Sequence, residues 1–265
     1  MFLILIIYCM TGLLIGILSG LLGVGGGLVA VPALVWILAR QGGHYDILMH
    51  MAVGTSLAGI LFTSLAAIYK FSQQNNIVWV IVKKLVPAVM IGVLFGVYLA
   101  HRLSTQNLKI VFGLFVFIVA IHFLFERKKN QNSENKIFFS KGNYFSAGII
   151  TGLSAGLMGV GGSVIMIPYL LYKGLNMRQA SGTSIACVFP LAFVAVISMT
   201  ILGWGQQGLP PYSTGYINWP AALSLSIPSV FSVSLGAYLG KRLPQLFLKK
   251  IFAVFLIFVS LNMLF

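Results

Sequence analysis

The sequence predicts an all-α polytopic membrane protein built from two inverted repeats. Each repeat has a broken, re-entrant-like helical hairpin followed by three transmembrane helices. The chain of 265 residues is 59% hydrophobic and only 8% charged, with a mean hydropathy of +0.99. A glycine-rich phrase occurs twice at corresponding places, and the Lys and Arg residues are unevenly distributed along the chain. Two parallel repeats with eight helices in all are the alternative arrangement.

Apolar segments long enough to cross a bilayer cover most of the chain. A hydrocarbon core of about 30 Å requires roughly 20 apolar residues in a helix. The core of a water-soluble protein could account for one or two such segments, but not for this many. The apolar stretches are residues 1–22, 57–68, 85–100, 110–125, 188–202, 221–240 and 251–265. The first stretch lacks the basic n-region of a signal peptide and continues into the first glycine phrase, so we expect it to remain in the mature protein.

The repeated phrase spans residues 16–32 and 152–168, and eight of its seventeen positions are identical in the two copies. Clustered glycines interrupt a helix, and a break inside a membrane leaves backbone groups without hydrogen-bond partners. Corresponding breaks in two halves of a membrane protein point to a binding site between them. A nucleotide-binding loop is not expected, because the strand and the lysine of such loops are missing.

The similarity between the two halves continues beyond the glycine phrase. A Gly-Thr-Ser triplet at residues 54–56 recurs at 182–184, in the same order relative to the phrase. The halves are therefore expected to be structural repeats of one unit. We divide the chain into an N-terminal transmembrane repeat (1–125), a polar linker (126–143) and a C-terminal transmembrane repeat (144–265).

The basic residues indicate how the two repeats lie in the membrane. Inverted repeats place fourteen of the 17 Lys and Arg residues on the side of the linker, and only Arg40, Arg102 and Lys109 on the other. Parallel repeats would leave nine on one side and eight on the other. Lys and Arg favour the cytoplasmic side, so the inverted arrangement is preferred. We expect the linker to be cytoplasmic and both termini to be external.

The glycine clusters and the hydroxyl triplets are the candidate binding residues. A helix that starts at a glycine turn offers free N–H groups and a partial positive charge, which suit a small anion. Hydroxyl groups can donate to an oxyanion without placing a charge in the membrane. The predicted substrate-binding residues are Gly25, Gly26, Gly27, Thr55, Ser56, Gly161, Gly162, Ser163, Thr183 and Ser184. Close helix packing of the glycines and hydrogen bonds from the hydroxyls to their own helices remain alternatives.

The scarcity of acidic residues limits the functions to consider. Asp46, Glu126 and Glu134 are the only acids and none lies in an apolar stretch, so a cation pathway through buried carboxylates is not expected. The basic residues lie at the ends of apolar segments, which membrane orientation explains without a nucleic-acid partner. Neither metal-ligand spacing nor a catalytic arrangement occurs, so we expect no metal, no cofactor and no enzyme. The expected partners are a small anion and the lipid bilayer, and a homo-oligomer is left open.

These motifs resemble the TauE/SafE sulfite exporter family of membrane permeases. The resemblance rests on Gly-Leu-Leu-Gly-Val-Gly-Gly-Gly at 20–27 with Val-Pro at 31–32, on the weaker copy at 156–168, and on the triplet after each. It covers essentially the whole chain and implies an inner-membrane secondary transporter that exports sulfite or an organosulfonate. Ser163 stands where the first copy has Gly27, which would make the site asymmetric. An anion channel with the same site, and a membrane scaffold without transport, are the alternatives.

Overall fold

The computed structural model describes residues 2–22, 26–41, 44–125, 141–240 and 245–264. Within these ranges the chain forms ten α-helices and one short β-hairpin. The helices are α1 (Phe2–Leu22), α2 (Gly27–Arg40), α3 (Tyr45–Gln73), α4 (Trp79–Arg102), α5 (Thr105–Phe125), α6 (Lys141–Met158), α7 (Ser163–Tyr172), α8 (Met177–Leu202), α9 (Trp219–Gly240) and α10 (Gln245–Leu264). The hairpin pairs β1 (Ser213–Thr214) with β2 (Ile217–Asn218), in antiparallel register, just before α9.

The length and composition of the helices confirm an all-α polytopic membrane protein. In the described ranges, α3, α4, α5, α8 and the Trp219–Gly236 part of α9 are long and apolar enough to cross a membrane. The helices α3 and α8 begin about three turns before the apolar stretches that predicted them, because the Gly-Thr-Ser triplets continue the helix. The α6 helix begins at Lys141, so the last three residues of the predicted linker are helical, and the rest of the linker lies outside the described residues.

Two helical hairpins form around the glycine phrases. At the second phrase, the Tyr169 hydroxyl near the end of α7 donates to the Asn143 carbonyl near the start of α6, at 2.9 Å. At the first phrase, the Gln41 amide after α2 donates to the Tyr8 hydroxyl in α1, at 3.0 Å. In both places the later helix returns toward the beginning of the earlier one. The chain therefore turns back on itself at each phrase.

The first helix of each hairpin packs on a helix from the other half of the chain. A side chain at Gly12 of α1 would overlap the backbone of Leu225 in α9, and one at Gly16 would overlap Ser229. Residue numbers rise together along this contact, so α1 and α9 run in the same direction. The α6 helix lies on α4 in the same way, with Gly152 at the contact. The outer glycines of the phrases thus permit close helix packing.

The Gly-Thr-Ser triplets lie in the interior, where the two halves meet. The helices α3 and α8 contact each other, and each contacts the second arm of its own hairpin. Every residue of α3 from 47 to 58 is buried. Elsewhere, α5 pairs with α10 through the Ser260 hydroxyl, which donates to the Gly113 carbonyl at 2.9 Å. This arrangement brings the triplets to the turns of the hairpins.

Candidate functional site

Two threonines of the triplets connect the halves of the chain. The Thr55 Oγ1 accepts a hydrogen bond from the backbone N–H of Asn218, at 3.0 Å. The Thr183 Oγ1 accepts one from the N–H of Val78, at 3.1 Å. Asn218 and Val78 immediately precede α9 and α4, and N–H groups at a helix start lack acceptors within the helix. Each threonine therefore stabilises a helix start in the other half and keeps its hydroxyl proton available for a further bond.

The serines of the triplets contact the second glycine phrase. The Ser56 hydroxyl donates to the Gly159 carbonyl at 2.9 Å, and the Ser184 hydroxyl donates to the Ser163 hydroxyl at 3.3 Å. A helix break exposes carbonyl groups that need partners away from water. Ser56 therefore satisfies a carbonyl of the turn between α6 and α7, and Ser184 bonds to the first residue of α7.

The turns of the two hairpins touch in the interior. A side chain at Gly27 would overlap the backbone of Gly159 and Val160. Gly26 precedes α2 as its N-cap residue, and its carbonyl accepts from the first bonded N–H groups of that helix. Gly25 lies outside the described residues. Gly26, beside this contact, lines a cavity next to the first hairpin.

The turn before α7 depends on glycine. Gly161 and Gly162 have φ angles of +73° and +74°, in the left-handed region that L-residues with a side chain rarely adopt. Ser163 is the first residue of α7 and is buried. The three residues are enclosed by protein atoms from neighbouring helices, including the Thr151 side chain against Gly162.

A cavity of about 60 Å³ lies beside the first hairpin. Its walls come from α1, the start of α2, α3 and α9. Most of the wall is apolar, and hydroxyl groups supply most of its polar part. The hydroxyl residues are Ser19, Thr55, Ser56, Thr63, Ser226 and Ser229. Gly26 also lines it, so the positive end of the α2 dipole faces the space. Within the described part of the chain, no charged side chain lines this cavity.

Some of the hydroxyl groups that line the cavity already donate hydrogen bonds to the protein, and others do not. Thr63 donates to carbonyls of its own helix at 3.2 Å, and Ser226 donates to Leu223 at 3.4 Å. Such bonds are common for hydroxyls in helices and can rotate toward a ligand. The hydroxyls of Ser19 and Ser229 make no hydrogen bond within the described residues. They therefore line the cavity as donors without a protein acceptor among the described residues.

The corresponding region of the second half is packed with apolar side chains. The glycine phrases align Gly16 with Gly152, the triplets align Thr55 with Thr183, and Trp79 aligns with Trp219. The residues that replace Ser19, Ala30, Gly59, Thr63, Ser226 and Ser229 are Ala155, Met166, Cys187, Leu191, Val86 and Val89, respectively. Five of these replacements are buried and Val86 is partly buried against the core. At five of these six positions the second half has the larger side chain, and only Ala155 is smaller than its counterpart, Ser19.

Three of the ten predicted binding residues line the cavity: Gly26, Thr55 and Ser56. Gly27 lies at the contact between the turns. The five predicted residues of the second half, which do not line the cavity, are Gly161, Gly162, Ser163, Thr183 and Ser184.

Sequence reasoning missed the serines of α9. Five serines occur in α9 between residues 224 and 234, whereas the matching segment of α4 has none. This unequal serine content of two repeated helices is the signal that could have identified Ser226 and Ser229.

The electrostatics of the site suit an anion rather than a cation. Asp46, the one acid in the described part of the chain, lies in the first turn of α3, about three turns from the triplet. Among the described residues, no group of three His, Cys, Asp or Glu could hold a metal ion. Hydroxyl donors and the start of α2 are the polar groups available for a ligand.

Comparisons with known proteins match the whole chain. The family model described as sulfite exporter TauE/SafE matches residues 8–263. A probable membrane transporter protein of Haemophilus influenzae is 35% identical over 263 residues, which cover 99% of both chains. Similar proteins of Methanocaldococcus jannaschii (28% identity, 88% of this chain and 85% of the relative) and Bacillus subtilis (23%, 98% and 97%) have the same description. No solved structure matches.

Proposed function

The chain belongs to the sulfite exporter TauE/SafE family of membrane transporters, and from this premise we propose that it exports a small sulfur oxyanion, sulfite or an organosulfonate, as a secondary transporter. One observation carries the proposal: six hydroxyl residues, and no charged side chain among the described residues, line a cavity at the start of α2. Relatives that match most or nearly all of the chain carry the description of membrane transporters.

The chemistry of the cavity fits a small oxyanion. Ser19 and Ser229 supply unbonded hydroxyls, and Thr55 keeps a proton to donate because its oxygen accepts from Asn218. Hydrogen bonds from neutral donors to a charged acceptor are stronger than those to a neutral acceptor. Without a fixed cation in the cavity, binding is moderate and the anion can leave again, which a transporter requires.

We place the two halves in opposite orientation across the membrane. The chain turns back at each glycine phrase, and α1 runs in the same direction as α9, as α6 does with α4. Together with the distribution of Lys and Arg, these directions favour a cytoplasmic linker and external termini in an inner-membrane protein. Alternating access then moves one hairpin with its partner helix against the remainder of the protein.

A flux measurement tests this function. Liposomes that contain the purified protein and are loaded with unlabelled sulfite should take up radiolabelled sulfite from outside. The uptake rate should saturate as the external sulfite concentration rises. Thiosulfate, sulfate and a small sulfonate, supplied as competitors, rank the substrates. Protein that shows no flux of any of these anions would contradict the proposal, and unsaturable flux that carries current would assign an anion channel instead.

A further inference from the structure

A cluster of lysine and tyrosine lies at the open end of the α6–α7 hairpin, away from its glycine turn. The Lys173 side chain is only 5% exposed. Its Nζ lies 5.5 Å from the ring centre of Tyr144 and 5.7 Å from that of Tyr169. The Lys84 Nζ of α4 lies 5.8 Å from the same Tyr144 ring. Two ammonium groups thus lie near one aromatic ring, that of Tyr144 near the start of α6.

The Tyr144 hydroxyl has no hydrogen-bond partner within the described residues, although the residue is 1% exposed. A buried hydroxyl without a partner is unusual and calls for an explanation. The corresponding residue of the first half is Tyr8, which is also buried, and its hydroxyl accepts from Gln41 at 3.0 Å. The same tyrosine is therefore satisfied at one hairpin and unsatisfied at the other.

The ammonium group of Lys173 also lacks a negative partner among the described residues. Asp46 is the one acid in those residues, and it lies at the start of α3 near Thr105. The contacts of Lys173 with two tyrosine rings compensate only part of the loss of hydration of its charge. Lys residues that only orient a membrane protein lie exposed at its surface, whereas Lys173 is buried. An oxyanion would supply the missing charge for Lys173 and the missing acceptor for Tyr144 together.

We propose that Lys173 and Tyr144 form a second oxyanion site, at the cytoplasmic end of the α6–α7 hairpin, which captures the transported anion before it reaches the cavity. The proposal rests on the proposed function for the identity of the anion and for the cytoplasmic side. The low exposure of both residues favours a small free ion over the phosphate of a lipid headgroup, which shares the same chemistry. The first hairpin has no lysine at the equivalent position, where Ile37 replaces Lys173.

Equilibrium binding of radiolabelled sulfite to detergent-purified protein tests the site. Wild-type protein should bind two sulfite ions per chain, and Tyr144→Phe, which keeps the ring but removes the hydroxyl, should weaken one of them at least tenfold. Lys173→Gln should abolish binding of that same ion. Tyr8→Phe, the matched control, should leave the binding of both ions unchanged. Ser226→Val/Ser229→Val should remove only the other ion. Gel filtration establishes that each variant is folded.

The outcomes separate this proposal from the proposed function. If Tyr144→Phe and Lys173→Gln bind sulfite as wild type does, the second site is overturned, even when Ser226→Val/Ser229→Val loses binding. If Ser226→Val/Ser229→Val binds two sulfite ions as wild type does, whereas Tyr144→Phe and Lys173→Gln bind only one, the cavity assignment fails and the second site stands.

Two further arms identify the occupant. Phosphatidylglycerol added to the micelles should not compete with sulfite; competition that disappears in Lys173→Gln would assign a lipid phosphate and overturn the capture of a free ion. Glu126→Gln/Glu134→Gln should leave the sulfite stoichiometry at two. If wild type binds one ion and this variant binds two, a linker carboxylate is the native partner of Lys173 and the proposal is overturned.

Discussion

The two hairpins share their glycines but differ in what surrounds them. Beside α1 and α2, six hydroxyl residues line a cavity. Beside α6 and α7, the equivalent positions hold apolar side chains such as Met166, Leu191 and Val89, all buried. The glycines and the close packing that they permit are therefore properties of the repeated scaffold, whereas the hydroxyl residues of the cavity surround the first hairpin. Internal duplication indicates where to look for a site, and the difference in lining is the reason that we propose the site at the first copy.

The largest expected effect comes from the shared scaffold. Gly16→Val and Gly152→Val should each lower the free energy of unfolding by about 3 kcal/mol, because the new side chain meets backbone atoms of α9 or α4. Thermal unfolding and the yield of monodisperse protein measure this. Gly59→Ala is the control, since a Cβ there meets nothing closer than 3.9 Å. If one of the two valine variants folds normally, the scaffold is not equivalent in the two halves.

Exchange of residues between the halves tests the difference in chemistry. Ser226→Val/Ser229→Val installs the residues of the second half, and Val89 already packs against Gly152 in the equivalent place. Sulfite affinity should fall at least about tenfold, since a hydrogen bond to a charged group contributes about 1.5–3 kcal/mol. Thermal stability should be retained.

The reverse exchange, Val86→Ser/Val89→Ser, should leave sulfite affinity unchanged. It should lower the free energy of unfolding by about 1–3 kcal/mol for each buried hydroxyl that lacks a partner. Binding measurements and thermal unfolding on the same preparations distinguish the two results. Equal loss of affinity in both double variants would mean that the halves contribute equally to binding.

The threonines of the triplets should separate structure from binding. Thr55→Val and Thr183→Val each remove an acceptor at a helix start, so each should lower the free energy of unfolding by about 1 kcal/mol. Only Thr55 lines the cavity, so Thr55→Val alone should also weaken sulfite binding. Thr55→Ser and Thr183→Ser, which keep the hydroxyl, serve as controls. A loss of affinity in Thr183→Val would show that the second triplet contacts the anion as well.

The smallest expected effect concerns a single unbonded hydroxyl. Ser19→Ala should weaken sulfite binding by a few-fold, which corresponds to about 1 kcal/mol, without a change in thermal stability. The equivalent exchange in the second half, Ala155→Ser, should leave the affinity unchanged. Titration calorimetry resolves a change of this size. Unaltered affinity in Ser19→Ala would remove α1 from the binding site.

The sequence predicted the membrane class and the helix breaks because hydropathy and clustered glycines act locally. It did not predict the bonds from Thr55 to Asn218 and from Thr183 to Val78, since these depend on which helices of the two halves become neighbours. The cavity depends in addition on the register of α9 against α1, which places Ser229 beside Gly16. A symmetric cage from both triplets was a natural expectation from duplicated motifs. Whether the second triplet binds the anion stays a prediction.

Anomalous diffraction from crystals grown with selenite, a heavier analogue of sulfite, tests the proposed cavity site most directly. The selenium position identifies the bound oxyanion without reference to any variant. We expect a peak within hydrogen-bond distance of the Ser19 and Ser229 hydroxyls, beside Gly26 at the start of α2. Crystals of protein that transports selenite but shows no peak in this cavity would contradict the assignment of the site.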